Sequence, residues 1–235
     1  MNLVDGEIIC IDKPLRWTSF DIVKRVRGAI QRRLDVRKFK VGHAGTLDPL
    51  ATGVMIVVTG RATKRIEELQ AGVKEYVATI ALGATTPSFD LETEIDATYP
   101  TGHITRELVE ETLQKFIGSI EQVPPAFSAC KVGGKPAYIL ARRGREVELK
   151  PKTLVIDSIE LLEYSSNSIT IRVVCSKVTY IRALALDIGA SLGSGGHLTA
   201  LRRTRVGDFT LDDCVTVEQA AAIIATAPIE TNEEE

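Results

Sequence analysis

Asp48 is the carboxylate in this chain whose surroundings most suggest chemistry. It lies in the segment Gly42-His43-Ala44-Gly45-Thr46-Leu47-Asp48-Pro49-Leu50-Ala51-Thr52-Gly53, where three glycines in twelve residues permit sharp turns with positive φ. Pro49 biases Asp48 toward an extended backbone and ends any helix there. The apolar run that begins at Val54 anchors the segment in a core. One short carboxylate on a stiff loop at a sheet edge is where a catalytic or binding residue is expected. Asp-Pro is also a common turn, so the residues alone leave both readings open. The other reactive side chains say less. Cys10, Cys130, Cys175 and Cys214 lie far apart with no paired spacing, and the histidines at 43, 103 and 197 show no metal-ligand pattern. That argues against a metal site and a disulfide framework, and for a reducing cytoplasm.

The elements that must position this loop can be read from periodicity. Glu7 to Asp12 predicts a strand stopped by Lys13-Pro14. Thr18 followed by Asp21 has the spacing of a capping box. Phe20, Val23, Val26, Ile30 and Leu34 then recur at near-helical intervals with basic residues between them, which predicts an amphipathic helix over 19–34 with a positive outer face. A Gly-rich loop over 41–53 follows, then a strand over 54–59. Further strands are expected over 74–82, 154–162 and 168–175, and helices over 105–117, 181–192 and 216–225. Strand and helix signals are mixed without regular alternation, so the class is α+β, or mixed α/β. Residues 123–150, opening with Val123-Pro124-Pro125 and rich in Pro, Gly and basic residues, read as an ordered insertion loop. Residues 228–235 read as a disordered acidic tail.

The composition, 44% hydrophobic and 26% charged over 235 residues, is that of a globular protein able to bury a core. It has no apolar run long enough for a membrane span, and its first residues, Met1 to Glu7, with neither a basic stretch nor a long apolar run, argue against a secretory leader. The net charge of -2 does not suggest a nucleic-acid partner, but the distribution does. Eight Lys or Arg residues and one acid, Asp35, lie between Lys24 and Lys40. A second basic group is Lys131, Lys135, Arg142, Arg143 and Arg145, and a third is Arg202, Arg203 and Arg205. Segregated charge can present a basic face to phosphates in a chain that is acidic overall. The plainer reading of each run is a solvated surface.

Residue for residue, the segment from Gly42 to Gly53 resembles the signature loop of the TruB pseudouridine synthases. Other blocks of that family follow in the right order: Asp12-Lys13-Pro14, Lys74-Glu75-Tyr76, Pro124-Pro125 with Ser128-Ala129, Cys175-Ser176-Lys177 with Thr179-Tyr180-Ile181-Arg182, and Leu201-Arg202-Arg203-Thr204-Arg205-Val206-Gly207. Together they cover roughly residues 7–210.

The resemblance implies the pseudouridine synthase catalytic fold, a central, mostly antiparallel sheet flanked by helices and RNA-binding insertion loops. It implies isomerisation of uridine 55 in the T-loop of tRNA. Asp48 would form a covalent adduct, the glycosidic bond would break, and the base would rejoin through C5. Attack at C1′, attack at C6 and initial loss of the 2′ proton all remain open as the first step. Arg182 corresponds to the family's salt-bridge partner of the aspartate, and Tyr76 to the tyrosine that stacks on the target uracil. Tyr180 corresponds to a second active-site tyrosine near the nucleophile that could help move the C5 proton. His43 resembles the residue that fills the space left when the base flips out, and Lys64 a lysine that contacts the RNA backbone. Lys131 and Arg142, in the basic insertion, are further candidates for RNA contact. No cofactor and no metal are called for, because an isomerisation needs no redox partner or group donor. The expected partner is the T-arm hairpin of tRNA, bound by a cytoplasmic monomer with no membrane contact.

The sequence departs from the family in places. Phe127 stands where tyrosine is common, Val178 where a smaller residue is usual, and Thr85-Thr86-Pro87-Ser88-Phe89-Asp90 replaces a Thr/Asp-rich stretch. The expected organisation is a catalytic domain over 1–227 with no separate C-terminal RNA-binding domain. Two alternatives compete with the enzyme: a TruB-like module that folds tRNA without chemistry, and a guide-RNA-dependent synthase of the dyskerin type. The first would have no need of Asp48, Arg182 and Tyr76 together, and the second carries a C-terminal RNA-binding domain.

Overall fold

The computed structural model describes residues 1–3, 5–177 and 179–228. In its first half the elements are β1 (Ile8–Lys13), α1 (Ser19–Leu34), β2 (Val41–His43), β3 (Ala51–Thr59), α2 (Ile66–Ala71), β4 (Lys74–Leu82), β5 (Ala84–Thr85), β6 (Ala97–Thr98) and α3 (Arg106–Gln114). Then come β7 (Gly118–Gln122), β8 (Lys131–Val132), β9 (Lys135–Pro136), α4 (Ala137–Ala141), β10 (Lys152–Ser165), β11 (Ser168–Cys175), α5 (Ile181–Ser191), β12 (Gly196–Val206), β13 (Phe209–Thr210) and α6 (Val217–Thr226). Two compact units result, one from residues 1–75 and 202–235, the other from 76–201. Val178 and nearly all of the expected acidic tail lie outside the described residues. Among the described residues, no helix is long and apolar enough to cross a membrane.

In the first unit β3 is the central element. It pairs antiparallel with β1, from Ile8↔Val58 to Lys13↔Gly53, and with β2, from Val41↔Thr59 to His43↔Val57. Its side chains alternate between two apolar layers. Met55 and Val57 join Ile9, Ile11 and the inner faces of α1 and α6, while Val54, Ile56 and Val58 join Cys10, Ala44 and Val206. Burial on both faces explains why the strand reads as an unbroken apolar run. Each such Val or Ile contributes about 1.5–3 kcal/mol over an exposed position. Helix α1 has the expected bounds, and Thr18 and Asp21 form the capping box reciprocally. Its buried residues Ile22, Val23, Val26, Ala29 and Ile30 form the stripe set by 3.6-residue periodicity.

The loop expected over 41–53 is shorter, because β2 occupies 41–43 and β3 starts at Ala51 rather than Val54. Asp48 thus sits in a seven-residue connection between two strands of one sheet. The terminal residues of β12 adjoin β3, where a Cβ added at Gly53 (φ +106°) would lie 2.1 Å from the Arg203 carbonyl oxygen. That approach requires glycine.

In the second unit the strand order is β4-β11-β10-β7. β10 pairs antiparallel with β11 and with β7 and carries two register shifts, near Ile156 and near Leu161. Tyr76, Ala78, Ile80 and Leu82 alternate inward on β4, as Ile169, Ile171, Val173 and Cys175 do on β11. β10 extends beyond the expected 154–162 at both ends, and β7, which the periodicity did not reveal, forms the edge. Residues 123–150 contain a hairpin of β8 and β9 followed by α4. Gly133 and Gly134, both at positive φ, make the hairpin's two-residue turn.

Candidate active site

The backbone of the Asp48 loop is fixed on both sides of the carboxylate. On the N-terminal side, Ser19 Oγ donates to the Leu47 carbonyl (3.0 Å) and accepts from the Leu47 N–H (2.9 Å). Both main-chain groups of the residue before Asp48 are therefore satisfied by one buried hydroxyl, itself positioned by the first turn of α1. On the C-terminal side, the Ala51 N–H closes a turn onto the Asp48 carbonyl (3.0 Å), and the Arg16 N–H donates to the Pro49 carbonyl (2.7 Å). Asp48 itself is half-buried.

Two buried cations, which the sequence reading did not assign to this loop, lie beneath it. Lys13 Nζ donates to the carbonyls of Trp17 (2.6 Å), Pro14 (3.0 Å) and Pro49 (3.5 Å). Arg203 donates from Nε to Val54 O (2.8 Å), from Nη1 to Thr46 O (3.3 Å) and from Nη2 to Gly45 O (3.4 Å). Burial pulls the Lys13 ammonium down to about 8, the nearby Asp48 charge opposes that shift, and Arg203 adds to it. The expectation of a basic surface at Arg202, Arg203 and Arg205 is corrected here. Arg203 is fully buried, Arg202 pairs with Asp12 at 2.8 Å, and Arg205 lies 3.9 Å from Glu75. The signal was present in the Asp12-Lys13-Pro14 and Leu201–Gly207 blocks, but charge alone reads as surface.

His43, on β2, is half-buried. Burial lowers its pKa below the ordinary range, the Gly45 backbone opposes this, and Arg203 adds to it, so the ring is neutral near pH 7. No hydrogen bond of good geometry reaches its buried Nδ1. The other histidines have partners on the main chain, His103 at Leu192 O (2.7 Å) and His197 at Ala84 O (3.1 Å). Lys64 is exposed and lines an open groove with Lys38, Phe39, Lys40, Gly60 and Arg61. Four cations around one concavity suit an anionic backbone, although Arg61 is held by Asp5 at 2.8 Å.

In the second unit Tyr180 and Arg182 come together at the N-terminus of α5. The Tyr180 hydroxyl lies 3.3 Å from Cys130 Sγ and also meets the Ser128 hydroxyl. Its pKa is pushed up to about 12, first by burial and then by Cys130, against the opposing effects of Ser128 and Arg182. The resting side chain is thus a neutral phenol. Arg182 is buried and donates to Ser88 O (3.2 Å) and Phe127 O (2.9 Å), with Nε 3.8 Å from the buried Asp90 carboxylate. The stretch from Thr85 to Asp90 folds so that it supplies this pair. Thr86 Oγ1 donates to the Asp90 carbonyl (2.7 Å), Ser88 Oγ lies 2.9 Å from Thr93 Oγ1, and Phe89 adopts φ +64°. Asp90 was not among the expected site residues, because an exposed acidic loop and a buried counter-ion look alike in sequence. Tyr76 is buried at the start of β4.

Lys131 is exposed at the start of β8. Arg142 is exposed but engaged. It pairs with Glu92 at 2.6 Å, and its guanidinium lies 5.5 Å from the Tyr138 ring centre. Such an exposed pair contributes little to stability. Among the described residues, no cluster of three or more His, Cys, Asp or Glu side chains could hold a metal ion.

Comparison with known proteins adds to this geometry. Residues 31–181 match the family model described as TruB family pseudouridylate synthase (N terminal domain), and residues 182–234 match tRNA pseudouridylate synthase B C-terminal domain. The chain is similar to the tRNA pseudouridine synthase B of Phocaeicola vulgatus, 70% identical over 93% of each chain. It is similar to that of Parabacteroides distasonis, 64% identical over the whole of both chains. Among solved structures it resembles a chain of a Cbf5-Nop10-Gar1 complex, with a TM-score of 0.72 and 29% identity over 94% of this chain. It spans only 55% of that longer chain.

Proposed function

The chain belongs to the TruB family of pseudouridylate synthases, and on that premise we propose that it isomerises uridine 55 in the T-loop of tRNA to pseudouridine, with Asp48 as nucleophile. One observation carries the assignment of Asp48. Its loop is held by hydrogen bonds at Leu47 and at Pro49, so the carboxylate is presented from a backbone with little freedom. Preorganisation of this kind is what a nucleophile needs.

The reaction balances within the nucleoside. The bond from N1 to C1′ breaks, a bond from C5 to C1′ forms, a proton leaves C5 and N1 gains one. A carboxylate is a competent nucleophile toward a sugar carbon, as in retaining glycosidases. It must stay ionised, which a nearby cation favours. Arg182 has the charge and rigidity for that role, and its own geometry is fixed by Ser88, Phe127 and Asp90. Tyr76 offers an aromatic face for the flipped uracil. Tyr180, a phenol with a raised pKa, is a hydrogen-bond donor at rest and accepts the C5 proton only as its own is passed on. His43, half-buried and neutral, suits the space vacated by the base. Lys64 and its groove, the outer face of α1, and the insertion with Lys131 and Arg142 are the basic surfaces proposed to grip the T-arm. We place the activity in the cytoplasm, in a monomeric enzyme.

The deciding experiment is incubation with an unmodified tRNA transcript followed by mapping of pseudouridine. Pseudouridine at position 55 alone supports the reading. Tight tRNA binding with no isomerisation would favour an RNA-folding module instead.

A further inference from the structure

Arg203 and Lys13 are buried cations whose hydrogen-bond acceptors are main-chain carbonyls. As a source of stability this is a poor arrangement. Removing a cation from water costs several kcal/mol, and apolar side chains of similar volume often do as well or better. A carbonyl supplies a dipole but no neutralising charge. The acceptors are not scattered. Those of Arg203 are Gly45 and Thr46, just before Asp48, and Val54, at the base of β3; Lys13 reaches Pro49, just after it. The backbone of Arg203 is fixed against Gly53 by an approach that leaves no room for a Cβ. The guanidinium is therefore delivered to the loop from a set point, and its planar fork spans three carbonyls at once.

We infer that Arg203 is a positioning residue of the isomerisation, which with Lys13 locks the Asp48 loop through its carbonyls and places positive charge beneath the carboxylate. This rests on the reading that Asp48 is the nucleophile. It assigns work to a residue that the sequence grouped with surface charge.

Electrostatic coupling between the two cations provides a readout that a merely structural role would not move. Three charges face Lys13: Asp48 on the loop, Asp21 on α1 and Arg203 on β12. The first two favour the ammonium, and Arg203 disfavours it. With the Lys13 pKa near 8, the single-turnover rate on bound RNA should fall as pH rises through about 8.

The test compares wild type, Arg203→Met, Arg203→Lys and Lys13→Arg on a saturating unmodified tRNA transcript across pH 6–10. For Arg203→Met we expect a rate loss on the order of a hundredfold, RNA affinity within about threefold of wild type, and an alkaline limb displaced upward because a cation near Lys13 is gone. Arg203→Lys should lose rate but keep the limb near 8, since the charge stays and the fork does not. Lys13→Arg should show no limb in this range. Arg203→Met with wild-type rate, or with its limb unmoved, overturns the inference. Should Arg203→Met fail to fold, an Arg203→Lys variant with wild-type rate overturns it equally. A wild-type enzyme that leaves uridine unmodified would sink the functional reading itself. An active wild type with an indifferent Arg203→Met would sink only the role of Arg203.

Discussion

Gln122 holds Tyr180 by both of its main-chain groups. Its Nε2 donates to the Tyr180 carbonyl at 3.1 Å, and its Oε1 accepts from the Tyr180 N–H at 2.9 Å. The primary amide on the last residue of β7 thereby anchors the start of α5, where the helix has no side-chain cap of its own. Replacing Gln122 by Leu takes the partner from the Tyr180 N–H, a loss of about 1–3 kcal/mol if it stays buried, while the Tyr180 carbonyl keeps its bond from the Leu184 N–H at 3.1 Å. Thermal denaturation should show the drop, and the single-turnover rate should fall with it while RNA affinity changes little. An unchanged melting temperature would mean that water replaces the amide without penalty.

Asp48→Asn removes the proposed nucleophile and keeps the shape of the loop. Loss of covalent catalysis should raise the barrier by at least about 4 kcal/mol, roughly a thousandfold in rate. Binding, drawn from phosphate and base contacts elsewhere, should persist. Near-normal isomerisation by this variant in single turnover would remove Asp48 from the mechanism.

Arg182→Lys preserves charge but not geometry. A guanidinium serves Ser88 O, Phe127 O and the Asp90 side at once, and an ammonium on a flexible stem does not. The expected cost is on the order of a hundredfold in single-turnover rate, about 3 kcal/mol. A fully active Lys variant would show that charge alone suffices.

Alkaline stability should depend on Cys10. Burial is the main cause that raises its thiol from 9.0 to about 12, with Cys214 and Asp213 adding to the shift. A thiol that titrates later in the folded state than in the unfolded one stabilises the fold fully below pH 9, and this stabilisation drains away as pH rises from 9 toward 12. Denaturant unfolding between pH 9 and 11 should therefore weaken more steeply for wild type than for Cys10→Ala. Parallel curves would count against a buried neutral thiol.

Charge reversal at Arg142, Arg143 and Arg145 probes the insertion. Each lost phosphate contact should flatten the salt dependence of RNA binding by somewhat less than one unit of slope. Affinity should therefore suffer mainly at low salt, with the step on saturated enzyme little changed. A T-arm minihelix should be modified about as well as full-length tRNA. If only the full-length molecule reacts, contacts beyond the T-arm are required.

Local pattern carried much of this fold into the sequence. α1 was legible to its ends because its cap, its periodicity and its basic face all agree. β4 and β11 alternate cleanly, so their bounds were readable too. β12 was not, since Gly196–Val206 mixes threonines and arginines with few apolar residues, and its burial follows from neighbours far away in the chain. The hairpins of β5 with β6 and of β8 with β9 have two residues per strand, too few for any period to register. Asp48 stood out through its loop. Arg203 did not, because its acceptors Thr46 and Gly45 lie 157 and 158 positions away, and a buried arginine differs from an exposed one only in its partners.

The contact between Arg182 and position 127 has a bearing on protein engineering. Arg182 engages the peptide oxygen of Phe127, an atom that every amino acid supplies. Absence of a phenolic hydroxyl at this position leaves that bond intact, and a saturation library at residue 127 should retain it wherever the backbone path is kept. The ring is then free to be exchanged for other side chains without unseating the arginine that the peptide oxygen holds.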